Sequence, residues 1–205
     1  MGGEARMAID IFRKYLGEEE ISSEEYCLLT DLIGKDKHSQ QELCEWVINN
    51  DLVAHEVYLF LILLMEIYED EETEGYVLEF KCLNEWLLGK MFSKDFYDYS
   101  ICYKFTYLLL KINGNDYEGV YARIVGRTDE ANAMTVKIAM CSTYGYTRNF
   151  FQYKKKTIEF ISKIILCINK SDNSEQVFKD FETFMVGGLI EIGYENEIKE
   201  ILNAR

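Results

Sequence analysis

Apolar residues return along this chain at three- and four-residue steps, the spacing of one face of a helix. Tyr117, Val120, Tyr121, Ile124 and Val125 follow that step. So do Phe150, Ile158, Ile161, Ile164, Ile165 and Ile168, opposite a face carrying Lys155, Lys156, Glu159 and Lys163. Residues suited to helix starts stand between such stretches. Ser22 and Ser23 precede Glu24 and Glu25, Ser39-Gln40-Gln41-Glu42 reads as a capping box, and Ser93, Thr128 and Ser174 each precede a polar first turn.

The pattern predicts ten helices, near 4–16, 23–34, 40–50, 52–69, 73–91, 94–112, 116–125, 129–142, 148–169 and 174–203, the last broken at Gly187-Gly188 or Gly193. Within 117–126, VYARIV also alternates well enough for a short strand. The helix 52–69 is apolar on almost every side, as a helix enclosed by others is. With 73–91 and 94–112 it is expected to form the centre. No fixed period recurs, so a regular solenoid is not indicated. The expected fold is all-α, an irregular bundle or stacked helical hairpins. It is read as a single domain over 1–205, with Asn113-Gly114-Asn115-Asp116 as the candidate internal division.

Composition supports this reading. The chain has 205 residues, 48% of them apolar, and no proline, where average usage would give about ten. Proline's absence suits long helices joined by Gly, Ser, Asn and Asp. Six cysteines stand at 27, 44, 82, 102, 141 and 167, never paired as CxxC. The opening MGGEARMAIDIFRKYLGEEE lacks the basic, apolar, small-residue order of a secretory signal. A reducing cytoplasm is therefore expected, with most of the cysteines, Cys27 and Cys167 among them, acting as small core hydrophobes. The longest apolar run, 57–65, is far short of the ~20 residues that cross a bilayer.

Charge adds a second pattern. Of the net −14, residues 1–100 hold 23 acids and 8 bases, net −15, whereas 101–205 hold 13 acids and 14 bases, net +1. Such a field repels nucleic-acid phosphates and anionic lipid and attracts basic surfaces.

Catalytic signatures are absent. The only histidines are His38 and His55, and His55-Glu56 opens an HExxH pattern whose second ligand position is Leu59. No GxSxG, GxxxxGK[ST], GxGxxG or Glu-x-x-His occurs, and the EF-hand pattern fails around 113–118 and 172–182, neither of which has the glycine required at loop position six. No catalytic residue, cofactor or metal is expected.

Two features carry the functional expectation. One is the acidic run Glu66, Glu69, Asp70, Glu71, Glu72 and Glu74, continued to Glu79, Asp95 and Asp98. Its plain reading is a solvated connection between buried helices. The other is aromatic density in FYDYSICYKFTY and YGYTRNFFQY, where Tyr97, Tyr144 and Tyr146 stand off the apolar stripes as interface anchors do. Lys154-Lys155-Lys156 and Arg123/Arg127 are the basic spots, suited to an anion or to a second copy of the chain.

The expected function is a helical module that neutralises a basic protein, such as a bacterial or phage immunity protein or an inhibitor of a toxin, nuclease or defence protein. Its partner-binding residues would be Glu66, Glu69, Asp70, Glu71, Glu72, Glu74, Asp95, Tyr97, Asp98, Tyr144 and Tyr146. The alternatives are a helical-repeat-like adaptor with a peptide groove, and an enzyme or small-ligand receptor with a pocket between helices.

Overall fold

The computed structural model describes residues 3–17, 20–70, 78–93, 95, 99–116, 119–120, 123–124, 154–170, 174–186, 190 and 193–203. Among them nine α-helices occur and no strand, so the fold is all-α. They are α1 (Gly3–Leu16), α2 (Ser23–Lys35), α3 (Lys37–Asn49), α4 (Ala54–Glu69), α5 (Asn84–Met91), α6 (Tyr99–Ile112), α7 (Lys154–Lys170), α8 (Ser174–Phe181) and α9 (Glu195–Asn203). The chain divides into two compact units, 1–89 with 108–115 and 90–107 with 116–205. It passes between them inside α5, inside α6, and at Asn115–Asp116 in the connection singled out above.

In the first unit α1 packs against α2 and α3, and α4 lies against α1 and α2. The buried face of α1 is Ala5, Ala8, Ile11, Phe12 and Leu16, a single helical stripe. Phe12 meets Trp46 of α3 and Phe60 of α4 edge-on, with ring centres 5.6 Å apart in each pair. Phe60 in turn meets Trp86 of α5 at 5.6 Å. Each such pair adds about 0.5–1.5 kcal/mol beyond the area it buries. In the run Val57–Met65 of α4 only Tyr58 is exposed, as an enclosed helix requires.

Capping sets the helix starts. Ser22 Oγ accepts the Glu25 N–H at 3.1 Å, and the Glu25 carboxylate accepts the Ser22 N–H at 2.9 Å, closing a capping box. For α3 the expected box at Ser39–Glu42 gives way to Asp36, whose carboxylate accepts the Ser39 N–H at 2.7 Å and its hydroxyl at 2.6 Å. The helix therefore begins three residues earlier, at Lys37. At the end of α6, Gly114 and Asn115 take positive φ of 63° and 60°. That left-handed turn lets the Asn115 N–H reach the Leu110 carbonyl at 2.8 Å. Asn113 and Asn84 exchange amide hydrogen bonds of 2.8 and 3.2 Å, tying the end of α6 to the start of α5.

The helix expected over 73–91 is shorter. Residues 78–80 are irregular, Lys81–Leu83 form a 3-10 turn, and α5 begins at Asn84. The cause is a competing set of bonds to α3: the Glu79 N–H goes to the Gln40 side-chain oxygen at 2.8 Å, and its carboxylate pairs with Lys37.

In the second unit α7 packs against α8 and α9. It buries Ile161, Ile165 and Ile168 of the expected stripe, and Leu166 on its far side is 59% exposed. Of the segment expected as one broken helix over 174–203, the described residues form α8, a π turn at Glu182–Val186, and α9, with helical Ile190 before the last; the expected break at Gly187-Gly188 lies outside the described residues. Gly193, at φ 91°, stands just before α9. The described residues of 117–126 (Gly119, Val120, Arg123 and Ile124) are helical, which removes the strand alternative for them.

Among the three cysteines whose burial is described, two depart from expectation. Cys44 is buried, but Cys27 and Cys82 are exposed. On α2 the inward positions are Leu29, Ile33 and Gly34, so the helical turn carries Cys27 and Leu28 outward.

Candidate functional site

The C-terminal turn of α4 brings Glu66, Glu69 and Asp70 together, all three exposed. The Asp70 N–H closes the helix on the Glu66 carbonyl at 2.9 Å. Negative charge at a helix C-terminus runs against the helix dipole, so this turn is not electrostatically favourable for the helix itself. Glu71, Glu72, Glu74, Tyr97, Asp98, Tyr144 and Tyr146 lie outside the described residues. Asp95 belongs to the second unit, exposed, with its N–H on Ser93 Oγ at 3.3 Å.

Two tyrosines that sequence reasoning did not single out join the acidic turn. Tyr26 of α2 donates its hydroxyl to the Glu66 carboxylate. Tyr15 of α1 lies beside it, ring centres 5.6 Å apart, and donates to the Leu59 carbonyl of α4 at 3.3 Å. Three helices thus converge on one half-buried pair of phenols under an exposed carboxylate. Burial raises the proton affinity of both phenols above the ordinary value near 10, and the Glu66 charge adds to it in each. For Tyr15 a hydrogen bond with Tyr26 works the other way. The phenols are therefore neutral, and the negative charge of the site resides on the carboxylates.

Lys14 of α1 is engaged nearby with Glu25 of α2 at 3.1 Å. Glu25's bond from the Ser22 N–H, and then Lys14, hold its carboxyl below the ordinary range. Glu79, part of the extended acidic run, is held by Lys37 and by the Gln41 amide at 3.5 Å, and so serves the packing of 78–83 onto α3. Tyr15 is the neighbour of Leu16, the last residue of the buried face of α1. The Tyr26–Glu66 pairing spans 40 residues and left no local signal.

Chemically, the turn offers oxygen acceptors to ammonium and guanidinium groups, with phenol rings below for a planar cation to lie against. No group of three or more metal-ligating side chains occurs among the described residues. No described helix is long and apolar enough to cross a membrane. No protein-family model, curated protein or solved structure matches the chain.

Proposed function

We propose that this protein is an acidic helical binding module that docks and neutralises a basic protein, such as a toxin, nuclease or defence protein, in the manner of an immunity protein or inhibitor. The observation that carries the reading is the allocation of charge between the two units. The first contains 21 acids and 7 bases, net −14; the second contains 15 of each, net zero. The whole net charge therefore belongs to one compact body, and the exposed turn Glu66–Asp70 lies on it. A body charged in this way speeds encounter with a positive surface and orients it during approach. Glu69, Asp70, Glu71, Glu72 and Glu74 supply the carboxylates, with Glu66 oriented by Tyr26. The reading assigns no catalytic group.

The test begins with capture of the partner on the full-length protein from its native cells, followed by association kinetics with the purified partner. The association rate should fall steeply as salt rises. Replacing Glu69, Asp70, Glu71 and Glu72 together by Gln or Asn should cut it about tenfold or more and leave the thermal midpoint unchanged or slightly raised. A variant that loses stability but associates at the wild-type rate would make the turn structural and end the proposal. Capture of a small molecule in place of a protein would end it as well.

A further inference from the structure

The turn that ends α6 carries a side-chain amide whose hydrogens are both placed. Asn113 Nδ2 donates to Asn84 Oδ1 at 2.8 Å and to the Leu109 carbonyl at 2.7 Å. In return, Asn113 Oδ1 accepts from Asn84 Nδ2 at 3.2 Å. Asn84 is only 7% exposed, so this tie is part of the packing that holds the start of α5 to the end of α6.

The residue that follows is Gly114, and the chain has no other Asn-Gly step. Glycine lacks a Cβ, so in an opened chain its backbone nitrogen closes freely on the side-chain carbonyl carbon of the asparagine before it. In the folded turn that nitrogen is engaged: the Gly114 N–H donates to the Lys111 carbonyl at 3.1 Å, with φ at 63°. The Asn115 N–H fixes the next peptide on the Leu110 carbonyl at 2.8 Å. Attacking nitrogen and leaving amide are therefore both held by bonds that a reaction between them has to break. Gly114, Asn115 and Asp116 are exposed, so opening this one turn admits water without unfolding the core.

We propose that Asn113 is a deamidation site guarded by the Asn84 tie, reacting with water only when the last turn of α6 opens. Hydroxide takes the proton of the Gly114 N–H, and the nitrogen attacks Asn113 Cγ. A new C–N bond closes a succinimide ring, the bond from Cγ to Nδ2 breaks, and the leaving nitrogen takes up a proton from water and departs as ammonia. Water then adds to one of the two ring carbonyls, whose bond to the ring nitrogen breaks. Opening at the Cγ carbonyl leaves aspartate, and opening at the main-chain carbonyl leaves isoaspartate. The sum is an amide and water giving an acid and ammonia, with no change of oxidation state. Either product carries a carboxylate, which has no hydrogen to donate, so the Leu109 carbonyl would face an anionic oxygen. Isoaspartate also adds a carbon to the main chain of the turn. The reacted chain cannot remake the tie, and each reaction is a one-way loss of the link between α5 and α6. This inference stands apart from the partner-binding reading.

The experiment holds the folded full-length protein, the same protein in guanidinium chloride, and a peptide of residues 107–120 side by side at mildly alkaline pH. Peptide mass mapping follows the exchange of NH for O at Asn113, and chromatography separates the isoaspartate form. The folded protein should react about tenfold or more slowly than the peptide, the effect of keeping one or two ordinary hydrogen bonds, and the protein in denaturant should match the peptide. Asn84→Ala, with its fold verified by circular dichroism, should bring the folded rate toward that of the peptide and leave the rate in denaturant unchanged. Asn113→Asp, made directly, should lower the thermal midpoint. The wild-type comparison involves no substitution and decides the matter alone. A folded wild type that reacts as fast as the peptide would show that the tie guards nothing, and an unfolded chain that stays unconverted at Asn113 would remove the site; either overturns the proposal. An unchanged midpoint in Asn113→Asp would overturn the one-way loss.

Discussion

Glu66 has two consequences at a single position. Its carboxylate orients the Tyr26 hydroxyl, and its charge adds to burial in making both Tyr15 and Tyr26 harder to ionise. A phenol whose proton is held more tightly in the folded than in the unfolded chain stabilises the fold fully below the ordinary value of 10.0. That stabilisation is lost as pH rises toward the higher folded value. The denaturant midpoint should therefore drop steeply above pH 10 in the wild type and less steeply in Tyr26→Phe. At pH 8 the same substitution should cost about 0.5–1.5 kcal/mol, the net value of an ordinary hydrogen bond. Equal alkaline slopes in the two proteins would show that the Tyr26 phenol is not held above its ordinary value in solution. None of this was legible locally, because Tyr26 reads as an ordinary first-turn aromatic until α4 brings a carboxylate to it.

At the scale of the element, capping and side-chain ties decide where helices begin. Asp36 starts α3 through Ser39, and those hydrogen bonds, the hydroxyl's first and then the backbone's, hold its carboxyl below the ordinary 3.8. Asp36→Ala should cost about 1 kcal/mol near neutrality, as loss of a helix cap does. A depressed carboxyl contributes above its ordinary value and loses that contribution as pH falls through the folded one. The gap between wild type and Asp36→Ala, measured by denaturant titration, should thus shrink as pH drops below 3.8. A gap that persists at lower pH would mean that Asp36 acts by its shape alone. The helix periods were readable because one face of each must be apolar; α1, α2 and α4 follow them to within a few residues, as α7 does at its C-terminal end, its expected start over 148–153 lying outside the described residues. The shortened α5 was not readable: Gln40 and Lys37, some forty residues back, draw Glu79 out of the helix that its local sequence favours.

On the scale of the molecule, charge is the dominant long-range property. A compact unit holding net −14 repels itself, and added salt screens that repulsion. The thermal midpoint should therefore rise by several degrees as sodium chloride goes from about 0.05 to about 0.5 M, because the exposed ion pairs that salt weakens contribute only about 0–1 kcal/mol each. A flat or falling midpoint would show the carboxylates too dispersed for self-repulsion to matter. The sequence by itself determined the all-α class, most helix positions and the acidic bias, since periodicity, missing proline and charge are local or additive properties of residues. Tertiary structure alone decided which residues make up the charged unit, because that unit takes in 108–115 and omits 90–107. It alone set Tyr26 against Glu66 and Gln40 against Glu79. These pairings join residues about forty positions apart, and only the packing of whole helices fixes which distant side chains meet.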